Sequence, residues 1–386
     1  MIVVYLDNAA TTFPKPASVV KAVQTAFTTY GANPGRSGHR MSAATAEKVY
    51  DCREALADFF HAYDVTNVIF TQNCTHALNI AIKGILQRGD HVVISTFEHN
   101  SVLRPIHCLA TQGLITYSVA DVVEGDDDRT VENFASQITA RTRLIACTHA
   151  SNVCGIRLPI EKLGRLAKRY GILFLVDAAQ TAGILPIDIQ KDNIDFLCMA
   201  GHKCLYGPSG TGVLITDRGD LLRPLMEGGT GSNSLELEQP EFMPDKFESG
   251  TLNTVGIIGL GAGLSYLKRE TLPKIYQREM NLTRMLYDGL SKIKGVILYT
   301  KRPDNSHYVP VICFNLQGMD SFTAVEQLDR QGIALRGGYH CAPLSHQKLG
   351  TTEIGAIRAS LSSFTTAQDI QRLLGAVKIV LQKGKK

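Results

Sequence analysis

A lysine closes the stretch Ala200-Gly201-His202-Lys203, directly after the apolar run 194–199, which reads as a buried strand. A Gly/Pro-rich turn, Tyr206-Gly207-Pro208-Ser209-Gly210, follows it. An unpaired ammonium in such surroundings is costly. Condensation with an aldehyde removes that charge. Upstream, Asp177 ends another apolar run, 172–176, where its carboxylate can hold a pyridinium nitrogen. A lysine for a Schiff base and an acidic partner for a ring nitrogen are what pyridoxal phosphate (PLP) asks of a protein.

Other residues could serve the same chemistry. The strand 68–70 leads through Thr71-Gln72-Asn73-Cys74 to Thr75, where a helix begins. A helix N-terminus offers free N–H groups and a positive dipole end to a phosphate. Thr75 also fits an ordinary N-cap. His99 follows the strand 91–95, where an imidazole can lie flat on a planar cofactor, or can be a surface histidine. Asn152 can bond a phenolic oxygen or a substrate carboxylate, and Gln180 a phenolic oxygen. The segment 207–212 lacks the form of a nucleotide P-loop and reads as a tight turn beside Lys203. Arg336-Gly337-Gly338-Tyr339-His340-Cys341-Ala342-Pro343 reads as a glycine-loosened, mobile loop. A thiol there, beside a histidine and near an arginine that favour thiolate, suits a nucleophile that swings onto a substrate. Arg358 sits inside an apolar strand and wants a carboxylate, which a substrate can supply.

These residues need a frame. Strands are predicted over 68–70, 91–95, 144–148, 172–176, 196–199 and 212–216, with helices over 75–87, 101–111 and 160–169. That alternation implies βαβ units and a mostly parallel sheet covered on both faces. Ligands of such sheets gather at the carboxyl ends of the strands. Thr75, His99, Asn152, Asp177 and Lys203 all fall just past strand ends. An earlier helix is predicted over 43–60, with Ser42 as its N-cap. Beyond Asn253 the pattern turns to an α+β unit, with helices over 255–267, 274–292, 322–330 and 367–382. Its strands are predicted over 296–299, 309–315, 333–336 and 357–361. The predicted division is a large α/β domain of 16–255 and a smaller α+β domain of 1–15 with 256–386. The charge run 124–128 reads as a solvated loop.

Composition sets the class. With 386 residues, 44% hydrophobic and 20% charged, the chain can bury a sizeable core in two domains. Net charge is +4, and the basic residues are scattered apart from Lys383, Lys385 and Lys386. Neither a nucleic-acid nor a membrane partner is indicated. The N-terminal residues 1–7 read as a short strand and turn rather than a signal peptide, so the expectation is cytoplasmic. Nine cysteines without a C-x-x-C argue against a disulfide framework and a metal site. Cys52, Cys147, Cys198 and Cys313 read as buried apolar side chains.

Together these stretches resemble the class V (fold type I) PLP-dependent enzymes, and within them the cysteine desulfurase and selenocysteine lyase family. The likeness begins at Leu6-Asp7-Asn8-Ala9-Ala10-Thr11-Thr12. It continues through Glu98-His99, Ser151-Asn152-Val153-Cys154-Gly155, Val176-Asp177-Ala178-Ala179-Gln180 and Gly201-His202-Lys203. It ends with the His340-Cys341-Ala342-Pro343 loop and Arg358-Ala359-Ser360-Leu361. The arginine and histidine ahead of Cys341 resemble the SufS-like group (type II). The resemblance implies that Lys203 binds PLP covalently, His99 stacks on the ring, Asp177 holds its nitrogen and Gln180 its phenolic oxygen. Thr75 and His202 would hold the phosphate, and Thr251 would reach the phosphate of the other subunit of a homodimer. Asn152 and Arg358 would bind the carboxylate of L-cysteine, Arg336 would support the cysteine loop, and Cys341 would take the sulfur as a persulfide for a sulfur-acceptor protein. Three departures stand out: Ala200 where many relatives have a serine, Cys204 as an extra residue before Leu205-Tyr206-Gly207-Pro208, and Cys74 where a hydroxyl is common. The activities implied are L-cysteine desulfuration to L-alanine, selenocysteine lysis, or class V transamination. The residues alone also leave open a nucleotide-binding module on 207–212.

Overall fold

The computed structural model describes residues 3–35 and 38–383. Met1 and Ile2 of the predicted N-terminal strand, and Lys385 and Lys386, lie outside them. The strands begin with β1 (Val4–Tyr5), β2 (Val68–Thr71), β3 (His91–Ser95), β4 (Thr116–Ala120), β5 (Thr142–Thr148) and β6 (Leu173–Asp177). They continue with β7 (Phe196–Ala200), β8 (Gly212–Ile215), β9 (Val296–Leu298), β10 (Val311–Leu316), β11 (Ile333–Ala334) and β12 (Ile357–Ser360). The helices are α1 (Ala17–Thr29), α2 (Arg40–Phe60), α3 (Cys74–Ile85), α4 (Asn100–Thr111), α5 (Asp127–Ser136) and α6 (Ile160–Tyr170). After these come α7 (Thr254–Glu270), α8 (Leu272–Ser291), α9 (Ser321–Asp329), α10 (Pro343–Leu349) and α11 (Ala367–Lys383).

Seven strands form the main sheet in the order β2-β8-β7-β6-β5-β3-β4. β8 pairs antiparallel with β2 and β7, and every other pair is parallel. Successive side chains of a strand face opposite sides of the sheet. Val93, Ile145, Val176 and Leu197 enter one core, and Val92, Leu144, Leu175 and Cys198 the other. Burial on both faces explains why these strands read as continuous apolar runs.

A third core joins the two ends of the chain. Val4 and Leu6 pack there with residues of α8, β10, α9 and α11. β12, β10 and β9 form an antiparallel sheet, and β1 pairs in parallel with β11.

Four elements escape the sequence reading: α1, β4, α5 and α10. β4 is a half-exposed edge strand, so its apolar alternation is weak. The run 124–128 is not a solvated loop. Asp126 caps α5, and Asp127 and Asp128 fill its first turn, where the helix dipole favours them. Glu124 accepts from the Lys301 N–H at 2.7 Å and from the Tyr308 hydroxyl. Ser42 is not the cap of α2. The helix starts earlier, with His39 Nδ1 accepting from the Ser42 N–H at 3.2 Å, while buried Ser42 donates to the Asn33 carbonyl.

Candidate active site

The carboxyl ends of β2, β3, β5, β6 and β7 open into one cavity of about 240 Å³. They bring Thr75, His99, Asn152, Asp177, Gln180, His202 and Lys203 to its wall. Arg336, His340 and Arg358 close it from the C-terminal half. Nine of the eleven site residues picked from the sequence thereby meet, although they are scattered through the chain. Thr251 is exposed and lines a different depression with Gln72, His76 and Gly210.

Lys203 follows β7 in a turn held by backbone bonds from Gly201 to Thr211 and from Gly207 to Gly201. A Cβ at Gly201 would lie 2.2 Å from the Thr211 hydroxyl, so glycine is required for that approach. Burial lowers the Lys203 ammonium pKa, and Asp177 opposes the shift. Asp177 is 3% exposed at the tip of β6. Its Oδ1 accepts from the Ala179 N–H at 2.9 Å and from the Cys74 thiol at 3.5 Å.

His99 caps α4, its Nδ1 accepting from the Ser101 N–H at 3.1 Å. The remaining ring proton therefore belongs on Nε2, a tautomer assigned from the bonding. Burial lowers the pKa of His99 to about 4, with Asp177 opposing, so the ring is neutral at pH 7. The Ser101 hydroxyl lies 2.9 Å from that Nδ1 and 2.8 Å from the Thr75 hydroxyl. Thr75 is not an N-cap: Asn73 caps α3, accepting from the His76 N–H at 2.9 Å. The first turn of α3 faces the cavity through Cys74 and Thr75. His202, lowered to about 4 by burial and then by Lys203 and Lys15, leaves Nδ1 buried without a partner.

Arg358 is 1% exposed. It is not alone: Nη2 donates to Asp7 Oδ1 at 2.5 Å and Nη1 to the Asn152 carbonyl at 3.0 Å. The carboxylate that Arg358 wants is thus already supplied within the chain, by Asp7 of the LDNAATT stretch. Asn152 donates through Nδ2 to the His340 carbonyl at 2.8 Å and keeps Oδ1 buried and unpartnered. Gln180 donates to the Ala9 carbonyl at 3.1 Å.

The cysteine loop is tied down rather than loose. Gly338 and Ala356 exchange backbone bonds, Ala342 donates to Tyr339, and the Asn100 N–H donates to the Cys341 carbonyl at 2.7 Å. α10 starts two residues after Cys341. Cys341 is exposed and does not line the cavity, whereas His340 does. His340 is buried, stacks on His346 at 5.7 Å, and is lowered to about 2 by burial and then by Arg358. A neutral imidazole brings no positive charge to the thiol, so the expected help to a thiolate from this histidine is absent.

The set can hold a planar aldehyde with an anionic tail. Lys203 is a poised amine, Asp177 is a buried acceptor, and the start of α3 is a donor cluster. The buried orphan atoms of Asn152 and His202 are polar groups that a ligand would satisfy. Among the described residues no group of three or more His, Cys, Asp or Glu could hold a metal ion.

Residues 4–373 match the aminotransferase class-V family. The chain belongs to that family. It is 35% identical over 381 residues to a probable cysteine desulfurase of Methanothermobacter thermautotrophicus, covering 96% of this chain and 92% of the relative. It is 33% identical to a cysteine desulfurase of Pectobacterium carotovorum, covering 97% and 92%. The apo structure of cysteine desulfurase from Thermococcus onnurineus superimposes with a TM-score of 0.92 at 33% identity, covering 99% and 95%. The S-sulfonic acid form of the Escherichia coli cysteine desulfurase CsdA gives 0.88 at 29% identity, with the same coverage. This class-V chain has the predicted α/β architecture of fold type I. Sequence reasoning missed Ser101, which joins His99 to Thr75, and Asp7. The first was legible as a serine at a strand-to-helix junction, and the second lay within the quoted LDNAATT.

Proposed function

We propose that this chain is a PLP-dependent cysteine desulfurase that converts L-cysteine to L-alanine and holds the sulfur on Cys341. The supporting observation is the convergence of Lys203, Asp177 and His99 in one cavity, with the residue before Cys341 on its wall. The relatives' names agree with it. When bound, PLP supplies an aldehyde for the substrate amine and a ring that takes up electrons from Cα. Lys203 Nζ, eased toward the neutral amine by burial, removes the Cα proton and returns it. Asp177 keeps the ring nitrogen protonated, and His99 packs on the ring. Gln180 donates to the phenolic oxygen. The first turn of α3 with Thr75, and His202, hold the phosphate. Arg358 and Asn152 receive the substrate carboxylate, and Arg336 supports the loop. Cys341, as thiolate, attacks the substrate sulfur. The bond from sulfur to Cβ breaks, its electron pair stays on carbon, and a proton completes the methyl group of alanine.

The same reading includes a SufS-like type, a homodimer, a cytoplasmic setting and a sulfur-acceptor protein. It also keeps the division into a domain of 16–255 and one of 1–15 with 256–386, which the separate core around Val4 and Leu6 supports. Exposed Leu225, Met226, Leu235, Leu237 and Phe242 lie in the segment just before Thr251 and support a second copy covering it. Light scattering should give twice the chain mass. Purified protein with PLP should show a visible absorption band that Lys203→Ala loses as a covalent species. It should release alanine and, with a thiol reductant, sulfide in equal amounts from cysteine. A colourless protein that makes no alanine refutes the proposal.

A second reading, selenocysteine lysis on the same residues, is favoured by the exposure of Cys341 outside the cavity lining. It is separated from the first by whether Cys341 is needed for turnover.

A further inference from the structure

Asp177 has two carboxylate oxygens, and the protein engages one of them twice. Oδ1 accepts from the Ala179 N–H at 2.9 Å and from the Cys74 thiol at 3.5 Å. The two donors come from different places. Ala179 lies in the turn after β6, whereas Cys74 opens α3 from the end of β2, 103 positions away from Asp177. No donor among the described residues is paired with Oδ2, which leaves that oxygen for a ligand.

Cys74 is well placed to act as a donor. It is 8% exposed and lines the cavity. Burial, followed by the charge of Asp177, raises its thiol pKa well above the ordinary value, so the sulfur keeps its proton. Its backbone is fixed by the Asn73 cap. The strand β8 lies against that cap: a Cβ at Gly212 would come within 2.3 Å of the Asn73 carbonyl carbon. A carboxylate held at one oxygen by donors from two anchored elements cannot rotate freely. Such preorganisation spares the ligand the work of ordering it.

We propose that Cys74 is a positioning residue: its thiol, donating to Oδ1, sets the rotation of the Asp177 carboxylate so that Oδ2 is presented to the ring nitrogen of the cofactor. The inference rests on the reading that PLP binds here with its nitrogen at Asp177. It gives a use to a cysteine that stands where a hydroxyl is common.

The test uses full-length protein stripped of cofactor, as wild type, Cys74→Ala and Cys74→Ser. Each is titrated with PLP and with the analogue in which a C–H replaces the ring nitrogen, following the visible band and the dissociation constant. Cys74→Ala should bind PLP about tenfold more weakly, the scale of a lost hydrogen bond to a charged acceptor, and bind the analogue as wild type does. Cys74→Ser, which restores a donor, should recover PLP binding. If alanine does not fold, Cys74→Val fills the volume without a strong donor and carries the same comparison. Unchanged PLP binding in the donor-less variant overturns the proposal. So does equal weakening for both ligands, which would mean a packing role. A wild type that takes up neither ligand refutes the cofactor reading itself, and the proposal with it.

Discussion

Arg358 and Asp7, 351 positions apart in the chain, form an ion pair with 2.5 Å between Nη2 and Oδ1. A backbone bridge from Asp7 to Ser360 lies beside it. Burial lowers the Arg358 pKa, and Asp7 opposes the loss of charge. Nη1 is occupied by the Asn152 carbonyl, and Nε is buried without a partner. A substrate carboxylate must therefore share the guanidinium with Asp7 or displace it.

Arg358→Lys should raise KM for cysteine about tenfold, because an ammonium cannot serve two acceptors in a fixed fork. Asp7→Asn is the informative companion. It removes the competing charge and should leave KM unchanged or lower it, at some cost in stability. Steady-state kinetics with denaturant melts on both variants decide the matter. If both lose stability and neither changes KM, the arginine is structural.

Arg53 and Glu248 form an ion pair buried on both sides, with both oxygen contacts at 2.8 Å. Glu248 Oε1 also accepts from the Phe70 N–H at 2.7 Å, so the pair ties α2 to β2 and to the segment before α7. Removing one partner strands a charge. Glu248→Ala should cost about 3–5 kcal/mol in urea unfolding, whereas Arg53→Met with Glu248→Leu should recover much of it. Equal stability of single and double variants would show that the packing, not the charge, matters.

Two buried carboxyl groups make stability depend on pH. Burial raises the carboxyl groups of Glu98 and Glu279 to about 8. Each is protonated in the folded chain and ionised in the unfolded one between its ordinary pKa and that value. The folded state then binds more protons, and stability falls as pH rises. His99 and His202, partly buried and lowered to about 4, have the opposite slope, but only below their ordinary pKa of 6.5. The clean window is pH 6.5–8. Glu98→Gln should flatten the decline there, by at most about 1.4 kcal/mol per pH unit. A variant with the wild-type slope would show that Glu98 is ionised in the fold.

The strand-end residues were legible because packing alone rarely accounts for polar groups recurring within a few residues of the ends of buried apolar runs. Lys203, Asp177, His99, Asn152 and Thr75 all met that condition, and parallel topology brought them together. The buried cysteines 52, 147, 198 and 313 were legible for the opposite reason, being small residues inside regular patterns. What escaped depends on contacts between distant segments. Nothing in the residue types announces that Asp7 reaches Arg358, or that Asn100 holds the Cys341 carbonyl. The half-exposed edge of β4 and the seven residues of α10 carried too little apolar signal to be read as elements. Glycines near Cys341 suggested looseness. Gly338 instead has φ +102°, and a Cβ there would come within 2.6 Å of the Phe322 ring, so glycine is required by the fold rather than for motion.

Cys341 sits in a strained turn. Its backbone and that of His340 are left-handed, at φ 56° and 49°, a strained conformation for residues with a Cβ. The strain is held by bonds from Asn100 and Asn152 to the two carbonyls. The thiol is thereby presented at the surface beside a cavity it does not line. If Cys341 takes the sulfur as proposed, its side chain turns inward to receive it and out again to pass it on. Cys341→Ala should retain PLP and bind cysteine with its colour change, yet lose most alanine production. Lysis of selenocysteine, whose leaving group needs less help, should persist. Alkylation provides an independent check, since Cys341 and Cys108 are the two exposed thiols. Both should label, but only labelling of Cys341 should abolish desulfuration, and Cys108→Ala should remain fully active. Wild-type desulfuration by Cys341→Ala would remove the persulfide step and leave a lyase or aminotransferase on the same fold.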